Sequence, residues 1–237
     1  MKKRTKIIAT LGPSSTSPTK IAKMIEAGTD VFRINLSHTT VEDTKKIISL
    51  VRNQESNFNR PVAIMIDLQG QKVRIKSFGK LPFVTLKTHD SFIIDSSLGE
   101  NGTSKKVGVT FKDLYKNVKA GNELLLSDAL IKLRVDKVNA KKIYTTVIRG
   151  GKLKPYQGVN KKGGGLSLSG ITNKDKSDLK KSLALEYDYV AVSFVQDEKD
   201  INEIKKTLKN KDVKIIAKIE RNEAIKNIDK ITRAADG

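Results

Sequence analysis

The chain has 237 residues, of which 38% are hydrophobic, and it contains no cysteine. These values are typical of a soluble globular protein, and they exclude disulfides, thiolate metal sites and a cysteine nucleophile. No apolar run is long enough to span a membrane, and the apolar run at residues 7–9 is too short for the core of a signal peptide. We therefore expect a cytoplasmic protein without a membrane partner.

The charge balance is strongly basic, with 46 Lys and Arg against 26 Asp and Glu, a formal net charge of +20. Such an excess favours anionic partners such as phosphates, acidic metabolites or nucleic acid. The lysines are scattered along the whole length, however, and aromatic residues, on which bases could stack, make up only 5%. This pattern indicates lysine-rich solvated helix faces, and binding of nucleic acid is not predicted.

Strands and helices alternate at the start of the chain. Strand-like runs at 6–10, 31–38 and 61–67 are separated by helical patterns at 19–27 and 41–54. Such alternation is typical of βαβ units with parallel strands, arranged in a sheet or a barrel.

The strand predicted at 31–38 has one polar face, formed by Arg33, Asn35 and Ser37. Polar side chains are unfavourable on a buried strand unless they find partners. A parallel strand is normally buried on both faces and reads as a nearly continuous apolar run. We therefore interpret this face as the lining of a site.

The pattern changes after residue 70. Residues 73–167 contain short, alternating, turn-separated segments with little helical periodicity, which predicts a small all-β module. Its closing segment, 150–165, is glycine-rich and is predicted to be a loop able to act as a hinge.

Helical periodicity returns after the module. Helices are predicted at 174–186, 198–209 and 222–231, and strands at 188–194 and 213–220. The chain therefore contains five βα units and an insert. A closed eight-stranded barrel takes about 250 residues, and only about 140 remain for the α/β part here. Either the sheet is smaller and open, or the chain is a piece of a longer protein.

The last predicted strand ends in Lys218 and Glu220, which are separated by one residue and so point to the same side of an extended backbone. Ligands bind at the carboxyl edge of parallel α/β sheets. A cation beside a carboxylate there suits a site for phosphate and a divalent metal. Taken alone, the pair is better explained as a surface ion pair at a strand end.

Six segments together carry a family likeness. They are residues 5–15 (TKIIATLGPSS), 32–38 (FRINLSH), 67–70 (DLQG), 153–160 (LKPYQGVN), 192–195 (VSFV) and 216–220 (IAKIE). In this order they resemble the N-terminal half of the pyruvate kinase family. The resemblance implies an α/β fold: a partial TIM (β/α)8 barrel, of which five βα units are present, interrupted after its third strand by an inserted all-β barrel domain. The implied domains are 1–70, 71–167 and 168–237.

The resemblance also implies an activity, phosphoryl transfer from phosphoenolpyruvate to ADP, giving pyruvate and ATP in glycolysis. Lys218 matches the catalytic lysine that neutralises the transferring phosphoryl group, and Arg33 matches an arginine that contacts it. Glu220 matches a ligand of Mg²⁺ (or Mn²⁺). His38 and Arg74 match positions on the nucleotide side, although His38 is equally explained as a turn or helix-cap histidine.

A monovalent-cation site is implied as well. Its ligands would be Asn35, Ser37, Asp67 and the backbone carbonyl of Leu68. The chain has Leu68, Gln69 and Lys72 where potassium-dependent members carry Thr, Lys and Glu. Because a lysine ammonium near the site could replace K⁺, we predict activity that does not require K⁺.

Other departures from the family pattern fall in and around the insert, at Gln71, 127–129 and 161–165. The family's second metal-binding aspartate, a threonine linked to enolate protonation, the last barrel strands and a C-terminal domain have no counterpart in 1–237. We therefore expect this chain alone to be inactive and poorly soluble, and the full-length protein to be a homotetramer.

Three other hypotheses remain. The chain could be a non-catalytic remnant that binds phosphorylated metabolites or nucleotides through Arg33 and Lys218. It could be a basic polyanion-binding protein, which predicts steeply salt-dependent binding to random nucleic acid. It could also be another phosphoenolpyruvate or pyruvate enzyme on the same barrel, although the inserted β module argues against this.

Overall fold

A computed structural model describes residues 4–166, 168, 170–209 and 211–237. The chain forms two units, one of Met1–Gln71 with Ser169–Gly237 and the other of Lys72–Leu168. Ser167, at the predicted end of the insert, lies outside the described residues. No helix in the described part of the chain is long and apolar enough to cross a membrane.

The helices and strands follow one another in the order that the sequence predicts. The first part of the α/β unit contains β1 (Ile8–Leu11), α1 (Pro18–Glu26), β2 (Val31–Asn35), α2 (Val41–Phe58) and β3 (Ala63–Asp67). The other unit contains a short 3-10 helix, Leu114–Lys116, and the strands β4 (Val84–Leu86), β5 (Ser91–Asp95), β6 (Lys106–Gly108), β7 (Glu123–Leu126), β8 (Ile131–Asn139), β9 (Lys142–Arg149), β10 (Gly151–Leu153) and β11 (Val159–Lys161). The chain then continues with α3 (Asn173–Ser182), β12 (Tyr189–Val192), α4 (Glu198–Leu208), β13 (Lys214–Ala217), α5 (Asn222–Lys226) and α6 (Ile228–Ala234).

The α/β unit is built on one five-stranded sheet in the order β1-β2-β3-β12-β13. All four neighbouring pairs are parallel, so every strand ends at the same edge. The order follows the chain, and the helices between strands are the crossovers that parallel pairing requires. The predicted βαβ arrangement is therefore confirmed for these strands.

Burial explains why these segments became strands and helices. In β2 the apolar residues Phe32 and Ile34 are fully buried while the polar ones between them are half-buried. In α1 the buried residues are Ile21 and Ile25, one helical turn apart. The N-cap of that helix is Ser17, whose side chain accepts a hydrogen bond from the Lys20 N–H.

The second unit has its own apolar core, distinct from that of the α/β unit. It contains a six-stranded sheet in the order β11-β7-β8-β9-β5-β6 and a two-stranded sheet of β10 and β4. The segment predicted to be a glycine-rich loop contains the strands β10 and β11, because each finds an antiparallel partner in a distant part of the chain. The prediction of a continuous loop there is therefore wrong.

Three helix ends differ from prediction. The second helix continues four residues further, to Phe58, and ends at Asn59 in the left-handed conformation. The third stops at Ser182, and the Lys211 Nζ donates to the Leu183 carbonyl at 3.0 Å, which caps this end. The helix predicted at 222–231 is divided at Asn227, whose Nδ2 donates to the Gln196 carbonyl at 3.0 Å.

Candidate active site

Polar side chains gather where the parallel strands end. Asp67 is the last residue of β3, and Asn35, the last residue of β2, pairs with it in register. Thr10 in β1 pairs with Arg33 in β2. Since all the strands run the same way, these side chains share one edge with the residues that follow β12 and β13.

Asp67 is the buried centre of this edge, with a side chain only 2% exposed. Its Oδ2 accepts hydrogen bonds from the Nε of Arg33, at 2.8 Å, and from the Nη2 of the same guanidinium. Such a fork-like contact fixes the plane of the guanidinium as well as its position. The Nη1 of Arg33 donates to the Thr10 hydroxyl at 2.9 Å, which completes its support.

Lys218 approaches Asp67 from the other side. Its Nζ lies 3.2 Å from Asp67 Oδ1 and 2.7 Å from the hydroxyl oxygen of Ser193. The Ser193 hydroxyl in turn donates to Asp67 Oδ1 at 3.2 Å. The ammonium is therefore held by two buried groups that lie on two different strand ends.

Glu220 is the second carboxylate of the site. Its Oε1 lies 3.6 Å from Lys218 Nζ, and its Oε2 accepts a hydrogen bond from the Phe194 N–H at 3.1 Å. The predicted proximity of Lys218 and Glu220 is confirmed, although β13 ends at Ala217 and both residues lie in the loop after it. We call Arg33, Asp67, Ser193, Lys218 and Glu220 the strand-end cluster.

The exposure of these side chains determines which charges of the cluster solvent can reach. Asp67 is buried, whereas the side chains of Arg33 and Lys218 are 28% and 29% exposed. The two cations thus lie outside Asp67, and solvent reaches them together with the carboxylate of Glu220, which is 35% exposed. An anion can approach both cations without displacing Asp67.

The residues predicted to bind a monovalent cation lie near one another. The Asn35 Oδ1 accepts a hydrogen bond from the Ser37 N–H at 2.9 Å, and the Leu36 N–H donates to the Asp67 carbonyl at 3.0 Å. Leu68 is buried, and its N–H donates to the Ala191 carbonyl at 2.9 Å. Among the described residues, no group of three or more His, Cys, Asp or Glu side chains is arranged to hold a metal ion.

The predicted nucleotide residues belong to separate units. His38 is exposed and lies in the turn before α2, where its N–H donates to the Asn35 carbonyl at 3.2 Å. Arg74 lies in the other unit, and its Nη1 donates to the Tyr156 carbonyl at 2.9 Å. The position of His38 agrees with the simpler hypothesis of a turn histidine.

Two residues that contact the site, Thr10 and Ser193, were not predicted from the sequence. Ser193 directly follows the buried strand β12, and that position was the available signal. Thr10 lies inside β1, where Leu11 is the only buried residue, and no comparable signal marks it. A third residue, Phe194, is half-buried and has a φ of +58°. Its contribution to the site is its backbone N–H, which the side-chain pattern does not reveal.

Arg221 follows directly after Glu220 and is half-buried. Its Nη2 donates to the Gln71 carbonyl at 3.1 Å, and its guanidinium lies 5.4 Å from the centre of the Phe194 ring. Desolvation lowers the pKa of Arg221, and the nearby carboxylates of Glu223, Asp200 and Glu220 oppose that effect.

A parallel α/β sheet with two cations and two carboxylates clustered at its carboxyl edge defines an α/β protein with a charged site at the position where such folds bind ligands. The family model for the pyruvate kinase barrel domain matches residues 2–237. The chain belongs to the pyruvate kinase family.

Curated relatives agree with this assignment. The chain is 40% identical over 209 residues to pyruvate kinase II of Salmonella typhimurium, a match that covers 88% of this chain and 43% of that protein. It is 43% identical over 205 residues to the pyruvate kinase of Buchnera aphidicola subsp. Baizongia pistaciae, covering 86% and 43% of the two chains. For the pyruvate kinase of Geobacillus stearothermophilus the identity is 39% over 211 residues, covering 88% and 36%. The chain thus spans less than half the length of these relatives.

Proposed function

We propose that this chain contributes the phosphoryl-binding side of a site that transfers a phosphoryl group from phosphoenolpyruvate to ADP, giving pyruvate and ATP. The observation that carries the proposal is the position of Arg33 and Lys218, two partly exposed cations oriented by the buried carboxylate of Asp67. Family membership supports the reaction, since relatives of 34–43% identity are pyruvate kinases.

Phosphoryl transfer depends mainly on positioning and on compensation of charge at the moving group. Lys218 meets that need because Asp67 and Ser193 fix its ammonium while leaving part of it open to a ligand. Arg33 is fixed in the same way by Asp67 and Thr10. Both cations are thus oriented before the substrate arrives, so little reorganisation is needed during the reaction.

We propose Glu220 as one protein ligand of Mg²⁺ or Mn²⁺. The chemistry fits, because a carboxylate is a hard oxygen ligand and the side chain of Glu220 is 35% exposed. A bound divalent ion would supply further positive charge for the phosphate oxygens. The residue's own role is to keep Oε1 available beside Lys218 while Phe194 holds Oε2.

We also propose that activity does not require K⁺. Both oxygens of Asp67 already accept hydrogen bonds from Arg33, Lys218 and Ser193. Protein cations therefore already satisfy a carboxylate that a bound K⁺ would otherwise share. The test is the activity of the complete protein in buffer free of sodium and potassium. Undiminished turnover is expected, and a collapse of the rate restored by K⁺ would reject this part.

The finer architecture is likewise a proposal. The strand order is that of consecutive strands in a (β/α)8 barrel, and the unit Lys72–Leu168 lies in the chain after the third of them. We propose that it is an inserted barrel domain, that His38 and Arg74 serve the nucleotide, and that the full-length protein is a homotetramer.

The proposed function is tested by calorimetric titration of phosphoenolpyruvate into the chain in the presence of Mg²⁺. Saturable binding is expected, weakened at least about 10-fold by Lys218→Met or Arg33→Met, because each variant removes one charged partner. The exposed Lys214→Met serves as the matched control. Absence of binding, or equal binding by all variants, would reject the proposal. Coupling pyruvate formation by the complete protein to a dehydrogenase then separates an enzyme from a remnant that only binds.

A further inference from the structure

The loop that carries Glu220 is tied to the residues that follow β3. Arg221 donates to the Gln71 carbonyl and lies over the Phe194 ring, while the Phe194 N–H donates to Glu220. Gly70, next to Gln71, packs against Phe194. We call Gly70, Gln71, Phe194 and Arg221 the connector clamp. Its contacts form a closed ring, with Glu220 attached to it through both Phe194 and Arg221.

The packing at Gly70 leaves no space for a side chain. Gly70 has a φ of +63°, and a Cβ atom there would lie 2.8 Å from the Phe194 ring and 2.9 Å from the Ser193 carbonyl oxygen. The Gly70 N–H donates to Asp175 Oδ1 at 3.1 Å, and Asp175 is only 1% exposed. A displacement of Gly70 therefore has to move Phe194, and with it the N–H that holds Glu220.

Stability alone does not explain Arg221. Its Nη1 is buried and has no hydrogen-bond partner among the residues that the structure describes. A buried polar group that lacks a partner is unfavourable, and such groups call for a functional explanation. An apolar side chain of similar size would fill the same space without that penalty.

We propose that Arg221 is a positioning residue that couples Glu220 to the connector at Gly70 and Gln71, so that the metal carboxylate and the chain leaving β3 move together. The guanidinium suits this role because one end binds the Gln71 carbonyl while its central carbon lies over the Phe194 ring. The functional meaning of Glu220 rests on the proposed function. The coupling itself does not depend on a bound metal.

The test is amide hydrogen exchange in the metal-free chain, comparing Arg221→Met with the unmodified protein. We expect exchange at Phe194 and Gly70 to accelerate about 10-fold, while the amide of Leu68, which bonds within the sheet, stays unchanged. The thermal midpoint should change little, because relief of the unpartnered Nη1 offsets the loss of the Gln71 bond and of the charge facing the nearby carboxylates. Arg221→Lys should behave like Arg221→Met, because an ammonium lacks the planar set of N–H donors of a guanidinium. The exposed Arg233→Met is the matched control.

A second readout is Mn²⁺ affinity, measured by electron paramagnetic resonance. We expect Arg221→Met to weaken it about 10-fold, as for other residues that orient a metal ligand. Any of three results would overturn the inference. The first is a Mn²⁺ affinity of Arg221→Met equal to that of the unmodified chain, and the second is unchanged exchange at Phe194 and Gly70. The third is faster exchange at Leu68 together with a lower thermal midpoint. If the unmodified chain binds no Mn²⁺, the metal assignment of the proposed function fails, and exchange alone decides the coupling.

Discussion

The ammonium of Lys218 lies 2.7 Å from the hydroxyl oxygen of Ser193, a residue 3% exposed at the end of the neighbouring strand. The same hydroxyl donates to Asp67 at 3.2 Å. Ser193 therefore links the cation to the carboxylate that balances it. Its position predicts that Ser193 orients Lys218 rather than merely filling space.

Replacing Ser193 with Ala should weaken the binding of phosphoenolpyruvate about 10-fold. The reason is that a hydrogen bond to a charged group contributes about 1.5–3 kcal/mol, and its loss would appear in part as a weaker free energy of binding. Calorimetric titration measures the change. Ser182→Ala is the control, since Ser182 is equally buried but bonds to Tyr187. Binding by Ser193→Ala that matches the unmodified chain would show that Lys218 needs no such support.

Asp67→Asn should lower the free energy of unfolding by about 1–3 kcal/mol. Loss of a buried charge partner leaves Arg33 and Lys218 facing each other without compensation. Both cations are nearly 30% exposed, and solvent screening reduces the effect below that of a fully buried pair. Urea denaturation measures the loss, with the half-exposed Asp43→Asn as control. A change no larger than that of the control would mean that the cations do not depend on Asp67.

Ala129→Gly should raise the free energy of unfolding by about 0.5–1 kcal/mol. Ser127, Asp128 and Ala129 all have left-handed φ values, of +54°, +53° and +68°. The left-handed conformation destabilises a residue with a Cβ atom by about 1–2 kcal/mol, and glycine avoids most of that destabilisation. Ala27→Gly, at a right-handed φ of −68°, should have the opposite sign. Destabilisation by Ala129→Gly would indicate that this turn is not strained.

Asp200 predicts a pH dependence of stability. Burial raises its pKa above the ordinary 3.8, the Gln196 N–H opposes the rise, and the charge of Asp197 adds to it. A raised pKa in the folded state means that the protonated form favours folding below pH 3.8, and that this contribution disappears as pH rises through the folded value.

The Asp200→Asn variant has no carboxyl group to ionise at this position. The difference between its free energy of unfolding and that of the unmodified chain should therefore increase from pH 3.8 towards neutrality. Denaturation curves at a series of pH values measure this difference. The exposed Asp229→Asn should show no such trend. A difference that stays flat or falls with pH would contradict the burial of an ionised Asp200.

The order of elements could be predicted because local signals agree with the final fold. The alternation in β2 predicts its buried face, and the helical pattern at 19–27 predicts the first helix, Pro18–Glu26, to within one residue at each end. Helix ends were harder to predict, since they depend on distant partners. The break at Asn227 follows from a hydrogen bond to Gln196, which the local sequence does not contain.

The same distinction applies to the site. Arg33, Lys218 and Glu220 carry the charges that mark a phosphate site, so sequence patterns find them. Ser193 and the Phe194 N–H act through neighbours that only the folded sheet supplies. The position of Ser193 after a strand end is a weak local signal, because serines and backbone amides occur throughout the chain.

The central claim is that one site holds the phosphoryl group and the metal together. It is tested most directly by the paramagnetic relaxation of the phosphorus nucleus of phosphoenolpyruvate, in the presence of the chain and Mn²⁺. We predict strong relaxation that is lost in both Lys218→Met and Glu220→Gln and kept in Lys214→Met. Relaxation that is absent, or that persists equally in all three variants, would contradict the assignment of this edge as a phosphoryl-transfer site.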